Sequence, residues 1–97
     1  MLRNVTDAKS TLKPVFDRYE ITRAILFGSV ARGTVTPSSD LDLLVDSNLH
    51  GLKFTGFMED IYQAAGMPVD VIDVTHIEKG SPIEREIHST GVTIYEK

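Results

Sequence analysis

The chain has no cysteine and no tryptophan among its 97 residues. Without thiols there are no disulfides and no thiolate-held zinc, and the absence fits a reducing, cytoplasmic setting. Long apolar runs are missing as well. None approaches the roughly 20 residues that a membrane-spanning helix needs, and Met1-Leu2-Arg3-Asn4-Val5-Thr6-Asp7 lacks the apolar core of a secretory signal. Basic charge is in deficit: 10 Lys and Arg stand against 14 Asp and Glu, a net charge of −4. A general grip on nucleic acid needs a basic face, so that class is disfavoured; a nucleotide held through bound cations is not. His50, His76 and His88 are too far apart to pair on one helix, which argues against a zinc site. There is no repeat, low-complexity tract or linker, so residues 1–97 read as one small domain with a single core.

What is present has a clear order. Leu12, Val15, Phe16 and Tyr19 follow helical spacing, and Pro14 either opens that helix or kinks a longer one. Arg23–Phe27 reads as a buried strand ended by Gly28, Ser29–Arg32 as a short helix closed at Gly33, and Thr34–Ser39 as a loop broken by Pro37. Leu41–Val45 is a second strand. After the turn chemistry of Asp46-Ser47-Asn48, a helix from about Gly51 lines Phe54, Phe57, Met58, Ile61, Tyr62 and Ala65 along one face. Gly66 suits its C′ position and Pro68 prevents continuation. Val69–Val74 is a third, β-branched strand. Ser81-Pro82-Ile83-Glu84 places a capping serine, a proline and a glutamate where a helix begins; Gly91 ends it before a short last strand, Val92–Tyr95. The expected fold class is α+β, a small mixed β-sheet backed by helices on one face.

Two segments carry chemistry. In the first, Phe27-Gly28-Ser29-Val30-Ala31-Arg32-Gly33, a Gly-Ser turn follows an apolar strand. Gly28 lacks a Cβ, so a ligand oxygen can come close to its backbone. The Ser29 hydroxyl and the unpaired N–H groups of a helix start are suited to phosphate, and Arg32 adds a cation for phosphates or for a partner protein. The plain alternative is a strand-to-helix turn with a serine cap. A P-loop is rejected, because Gly33 is followed by Thr34-Val35 and the phosphate-binding lysine is missing.

In the second segment, Ser38-Ser39-Asp40-Leu41-Asp42-Leu43-Leu44-Val45, Asp40 and Asp42 stand at i and i+2. On a strand their side chains leave the same face, with Cα atoms about 6.5–7 Å apart. Two like charges so close repel, which raises the pKa of one of them. Magnesium, a hard cation that favours carboxylate and phosphate oxygens, removes the conflict. The alternative is a polar edge strand with a solvated Asp-x-Asp. A third acid comes from Asp70 or Asp73, which face opposite sides of their strand. Asp70 is favoured, because an unpaired charge between Val69 and Val71 is expensive unless it has a task; Asp73, nearer the strand end and nearer water, is left a structural role.

Gly28-Ser29, ten intervening residues and then Asp40-Leu41-Asp42 resembles the signature of the DNA polymerase beta nucleotidyltransferase superfamily. The longer strings Leu26–Gly33 and Ser39–Val45, with Val69-Asp70-Val71, Ile83–Ile87 and Gly91–Tyr95, resemble the minimal nucleotidyltransferases. The resemblance implies a protein that serves as antitoxin to a HEPN ribonuclease toxin, transferring AMP from ATP to a toxin tyrosine within a hetero-oligomer. It implies that Gly28 and Ser29, with Arg32 and Ser39 beside them, bind the nucleotide. It also implies that Asp40 and Asp42 bind two Mg2+ ions, and that Asp70 binds the catalytic ion and helps deprotonate the attacking hydroxyl. Two other readings stay open: a binding module that covers a toxin with its nucleotide site idle, and a transferase acting on a small molecule or an RNA end.

Overall fold

The computed structural model describes residues 2–34 and 36–97. Asn4 opens the first helix, α1 (Val5–Arg18), by accepting the Asp7 N–H on its side chain at 2.8 Å. Pro14 lies inside α1 rather than at its start, so the longer of the two expected helices is the real one. Strand β1 (Arg23–Phe27) runs directly into the five-residue helix α2 (Gly28–Arg32). Gly33, at φ 75°, then closes α2 in the left-handed region, which glycine enters without strain. Strand β2 (Leu41–Asp46), helix α3 (Leu52–Ala65) and strand β3 (Val69–Asp73) follow. The chain continues through a 3-10 turn at Val74–His76 into α4 (Pro82–Thr90) and ends with β4 (Val92–Glu96). Val74 thus belongs to the turn and not to β3. At α4 the expected cap is present, with Ser81 Oγ accepting the Glu84 N–H.

The sheet order is β3-β2-β1-β4. β1 is antiparallel to both neighbours, and β2 pairs with β3 in parallel through the α3 crossover, as a parallel pair requires. Ala24, Leu26, Leu41, Leu43 and Val45 point to one face and are fully buried there. The two fourteen-residue helices α1 and α3 cover that face, bringing Leu12, Phe16, Phe57 and Ile61 into the same core. Removing a buried aromatic such as Phe57 costs about 3–5 kcal/mol in such a core. On α3 the expected apolar stripe divides: Phe57, Ile61 and Ala65 are buried, Phe54 and Met58 half-buried, and Tyr62 stands out in solvent.

Alternation along the strands sends Ile25, Asp42, Leu44, Asp70 and Ile72 to the other face. Helix α4 adds a partial cover on this side. It packs on β1 and α2, and a groove between it and the sheet is lined by Ile25, Leu44 and Ile87. The β2–β3 end nearest α2 is left open, and the acids stand there.

Candidate functional site

Three elements meet at the open end of the second face. β2 supplies Asp42, the loop entering it supplies Asp40, and β3 supplies Asp70. Asp42 and Asp70 are direct partners in the parallel register, on strands about 4.8 Å apart. Asp42 is half-buried, while Asp40 and Asp70 are exposed. Burial is the largest influence on Asp42 and lifts its carboxyl to about 6; Asp70, Asp40 and Glu86 push it the same way, and Arg32 opposes them. Among the described residues no N–H or O–H donates to any of the three carboxylates, so their oxygens are available to an external cation.

The Gly-Ser turn abuts this cluster. Gly28 has φ 78°, and a Cβ placed on it would drive into the Asp42 carboxylate. Only glycine allows both the backbone conformation and the close approach. Gly28 itself is buried, and its N–H donates to Thr90 Oγ1 of α4 at 3.0 Å. That donor is therefore engaged within the protein, and the contribution of Gly28 to the site is space. Ser29 is half-buried. The serine-cap alternative does not hold, because the N-cap of α2 is Phe27 and no side chain caps it. The Ser29 hydroxyl has no hydrogen-bond partner among the described residues and remains available to a ligand. Arg32 pairs with Glu86 Oε1 at 2.7 Å. Ser39 is occupied differently: its Oγ accepts the Thr36 N–H at 2.8 Å, and its N–H donates to Thr36 O at 3.0 Å. It closes the turn that delivers Asp40.

The burial that favoured Asp70 over Asp73 as the third acid is reversed in the structure. Asp70 is exposed and Asp73 is the buried one, 6% exposed. Asp73 sits on the core side of β3 opposite Val45. It accepts from Ser47 N–H and Oγ–H at 3.2 and 2.6 Å, and from Thr75 N–H and Oγ1–H at 3.1 and 2.7 Å. Burial pulls its pKa up, but these bonds outweigh burial and hold it below the ordinary carboxylate range. Two residues at the site were not singled out by sequence reasoning. Glu86 and Thr90, one helical turn apart on α4, reach Arg32 and Gly28; the only signal for Glu86 was its place in the Ile83–Ile87 string.

Among the described residues no group of three His, Asp or Glu side chains closes into a ready-made metal cage. The donor set nevertheless fits a hard divalent ion. Asp40, Asp42 and Asp70 offer only oxygen, lack protein donors, and repel one another until a cation arrives. A nucleotide's phosphates are repelled by the same carboxylates, so a nucleotide could sit here only together with such a cation.

A mixed four-stranded sheet that brings carboxylates of adjacent strands beside a glycine turn is the frame of a nucleotidyltransferase domain. Residues 10–97 match the polymerase beta nucleotidyltransferase family, and the chain belongs to it. Among solved structures, a toxin–antitoxin complex with AMP-PNP superposes with a TM-score of 0.76 at 17% identity, over 92% of this chain and 73% of that one. The MNT antitoxin in complex with a tri-AMPylated HEPN toxin of Shewanella oneidensis superposes with a TM-score of 0.70 at 13% identity, over 96% and 73%. A candidate minimal nucleotidyltransferase reaches a TM-score of 0.70 at 24% identity, over 90% and 88%. These likenesses concern the fold. Among curated proteins no relative is detected.

Proposed function

We propose that this protein is a magnesium-dependent adenylyltransferase that moves AMP from ATP to a hydroxyl of a partner protein, and that it silences a HEPN-type toxin by doing so. The observation that carries the reading is the pairing of Asp42 with Asp70 on one face, against a glycine whose missing Cβ leaves room for the Asp42 carboxylate. The resemblance to antitoxins in complexes that contain AMP-PNP or an AMPylated toxin supports the choice of nucleotide and partner. No helix of the described residues is long and apolar enough to cross a membrane, in keeping with work in the cytoplasm.

In this reading the whole chain is one catalytic domain, and a complex with the acceptor supplies the second half of the cleft. Asp40 and Asp42 would hold two magnesium ions, and Asp70 would contribute to holding the catalytic one. Bound magnesium supplies charge neutralisation on the phosphates and eases loss of the acceptor's proton. Asp70 orients the acceptor hydroxyl and takes its proton. The acceptor oxygen forms its bond to the α-phosphorus as the bond to pyrophosphate breaks. Ser29 donates its hydroxyl to the departing phosphates, and Arg32 offsets their charge. Ser39 contributes by fixing the turn before Asp40.

The test mixes the purified protein with α-labelled ATP, magnesium and the product of the neighbouring gene. Label on that product, lost in Asp42→Ala, is the expected result. Tight inhibition of the neighbour without label would replace catalysis with simple covering, and label on an RNA end or a small molecule would move the acceptor out of the protein class.

A further inference from the structure

The Gly28–Arg32 turn is held at both ends by one helix. At its start, Thr90 Oγ1 accepts the Gly28 N–H at 3.0 Å; at its end, Glu86 Oε1 accepts from Arg32 Nη1 at 2.7 Å. Glu86 and Thr90 stand at i and i+4 on α4, so they share a face. They are also linked to each other, because the Thr90 hydroxyl donates to Glu86 O at 2.9 Å. That bond uses the hydroxyl proton and leaves an oxygen lone pair for Gly28.

Each contact answers a need of the turn. As the first residue of α2, Gly28 has no partner for its N–H inside the helix, and it is buried. Its position also sets the room left to the Asp42 carboxylate. The Arg32–Glu86 pair is 47% and 39% exposed at its side chains, and a pair that open to solvent adds little stability. What it does is restrict where the guanidinium points.

We infer that Thr90 and Glu86 are positioning residues. α4 acts as a splint that holds the nucleotide turn in register with Asp42 and keeps Arg32 turned toward the phosphates. This rests on the nucleotide reading of the site, and the experiment separates the two.

Two measurements are made on the full chain. Amide hydrogen exchange at Gly28 is read without ligand, and AMP-PNP affinity is read by calorimetry in magnesium, well below the thermal midpoint of each variant. Thr90→Val keeps the shape of the side chain and removes the acceptor. It should speed Gly28 exchange and weaken AMP-PNP each by about tenfold, as loss of one hydrogen bond implies; Thr90→Ser should restore both. Glu86→Gln distinguishes positioning from a bystander charge by sign. A bystander carboxylate repels the triphosphate, so its removal would tighten binding; a positioning carboxylate gives a weakening of about threefold. Unchanged affinity in Thr90→Val, with or without faster exchange, overturns the inference, and so does tighter binding in Glu86→Gln. If the wild-type protein has no affinity for AMP-PNP, the nucleotide reading falls and the positioning role falls with it. Exchange at Gly28 would then still report whether Thr90 holds the turn.

Discussion

The adjacent strands β2 and β3 carry aspartates in opposite conditions at their two ends. At the end beside α2, Asp42 and Asp70 pair across the register with no donor among the described residues, and Asp42 is raised to about 6. At the other end, Asp73 is more deeply buried yet lowered, because Ser47 and Thr75 give it four hydrogen bonds. Burial alone therefore does not set the direction of a carboxylate's pKa; the supply of donors does. An acid with four donors has its charge compensated by the protein. An acid crowded by other acids and given no donors is matched to a cation from outside.

The comparison breaks most visibly if Asp42→Asn keeps its activity. That variant should lose about 10³-fold or more in AMP transfer while melting no lower than the wild type, since it removes a repelling charge. Assays of labelled AMP transfer and a thermal melt at neutral pH read both halves. Asp73→Ala is the mirror image. It strips the acceptor from Ser47 and Thr75 inside the protein and should cost about 2–4 kcal/mol in urea unfolding, with transfer per folded molecule preserved. An unmoved urea midpoint would mean that the Asp73 network is idle.

Gly28→Ala probes the boundary between the two conditions. The new methyl meets the Asp42 carboxylate at a positive φ, so stability should fall by about 1–2 kcal/mol and nucleotide affinity should fall with it. Retained affinity would show that Asp42 can move aside at no cost.

The smallest effect is in pH. Asp42 has a folded pKa of about 6, above its unfolded value of 3.8. The folded state thus takes up this proton first, and stability rises as pH falls from about 6 toward 3.8. Asp73, whose folded pKa is depressed, contributes stability above 3.8 that is lost as pH falls through its lowered value. Unfolding of the metal-free protein between pH 7 and 3 should show a shallow gain followed by a loss. The gain should vanish in Asp42→Asn and the loss should shrink in Asp73→Ala. A curve that only falls below pH 7 would contradict the state assigned to Asp42.

Much of this was legible from local chemistry. The turn at Gly28-Ser29, the acids at Asp40 and Asp42, the Ser81 cap and the Gly66 stop all act within a few residues of themselves, so their residue types and spacing announce them. Asp70 and Asp73 face opposite sides of β3 as expected, but their burial is the reverse of the expectation: Asp70 is exposed and Asp73 is buried. Strand position suggested water near Asp73, whereas Ser47, 26 residues earlier in the chain, lies across that end and closes it. Tyr62 shares the helical spacing of that stripe yet is exposed, while Phe57, Ile61 and Ala65 are buried; spacing marks a face of the helix but not how far its neighbours cover it.

By itself the sequence determined which side chains could do chemistry here, and which faces of the strands they occupy, because alternation and capping are local properties of the backbone. Tertiary structure alone decided which of those acids would be compensated and which left open, that α4 would meet the Gly28–Arg32 turn through Thr90 and Glu86, and that the Gly28 N–H would be engaged by Thr90. Those outcomes depend on groups separated by up to 62 residues, and contacts across that distance exist only once the chain has closed on its core.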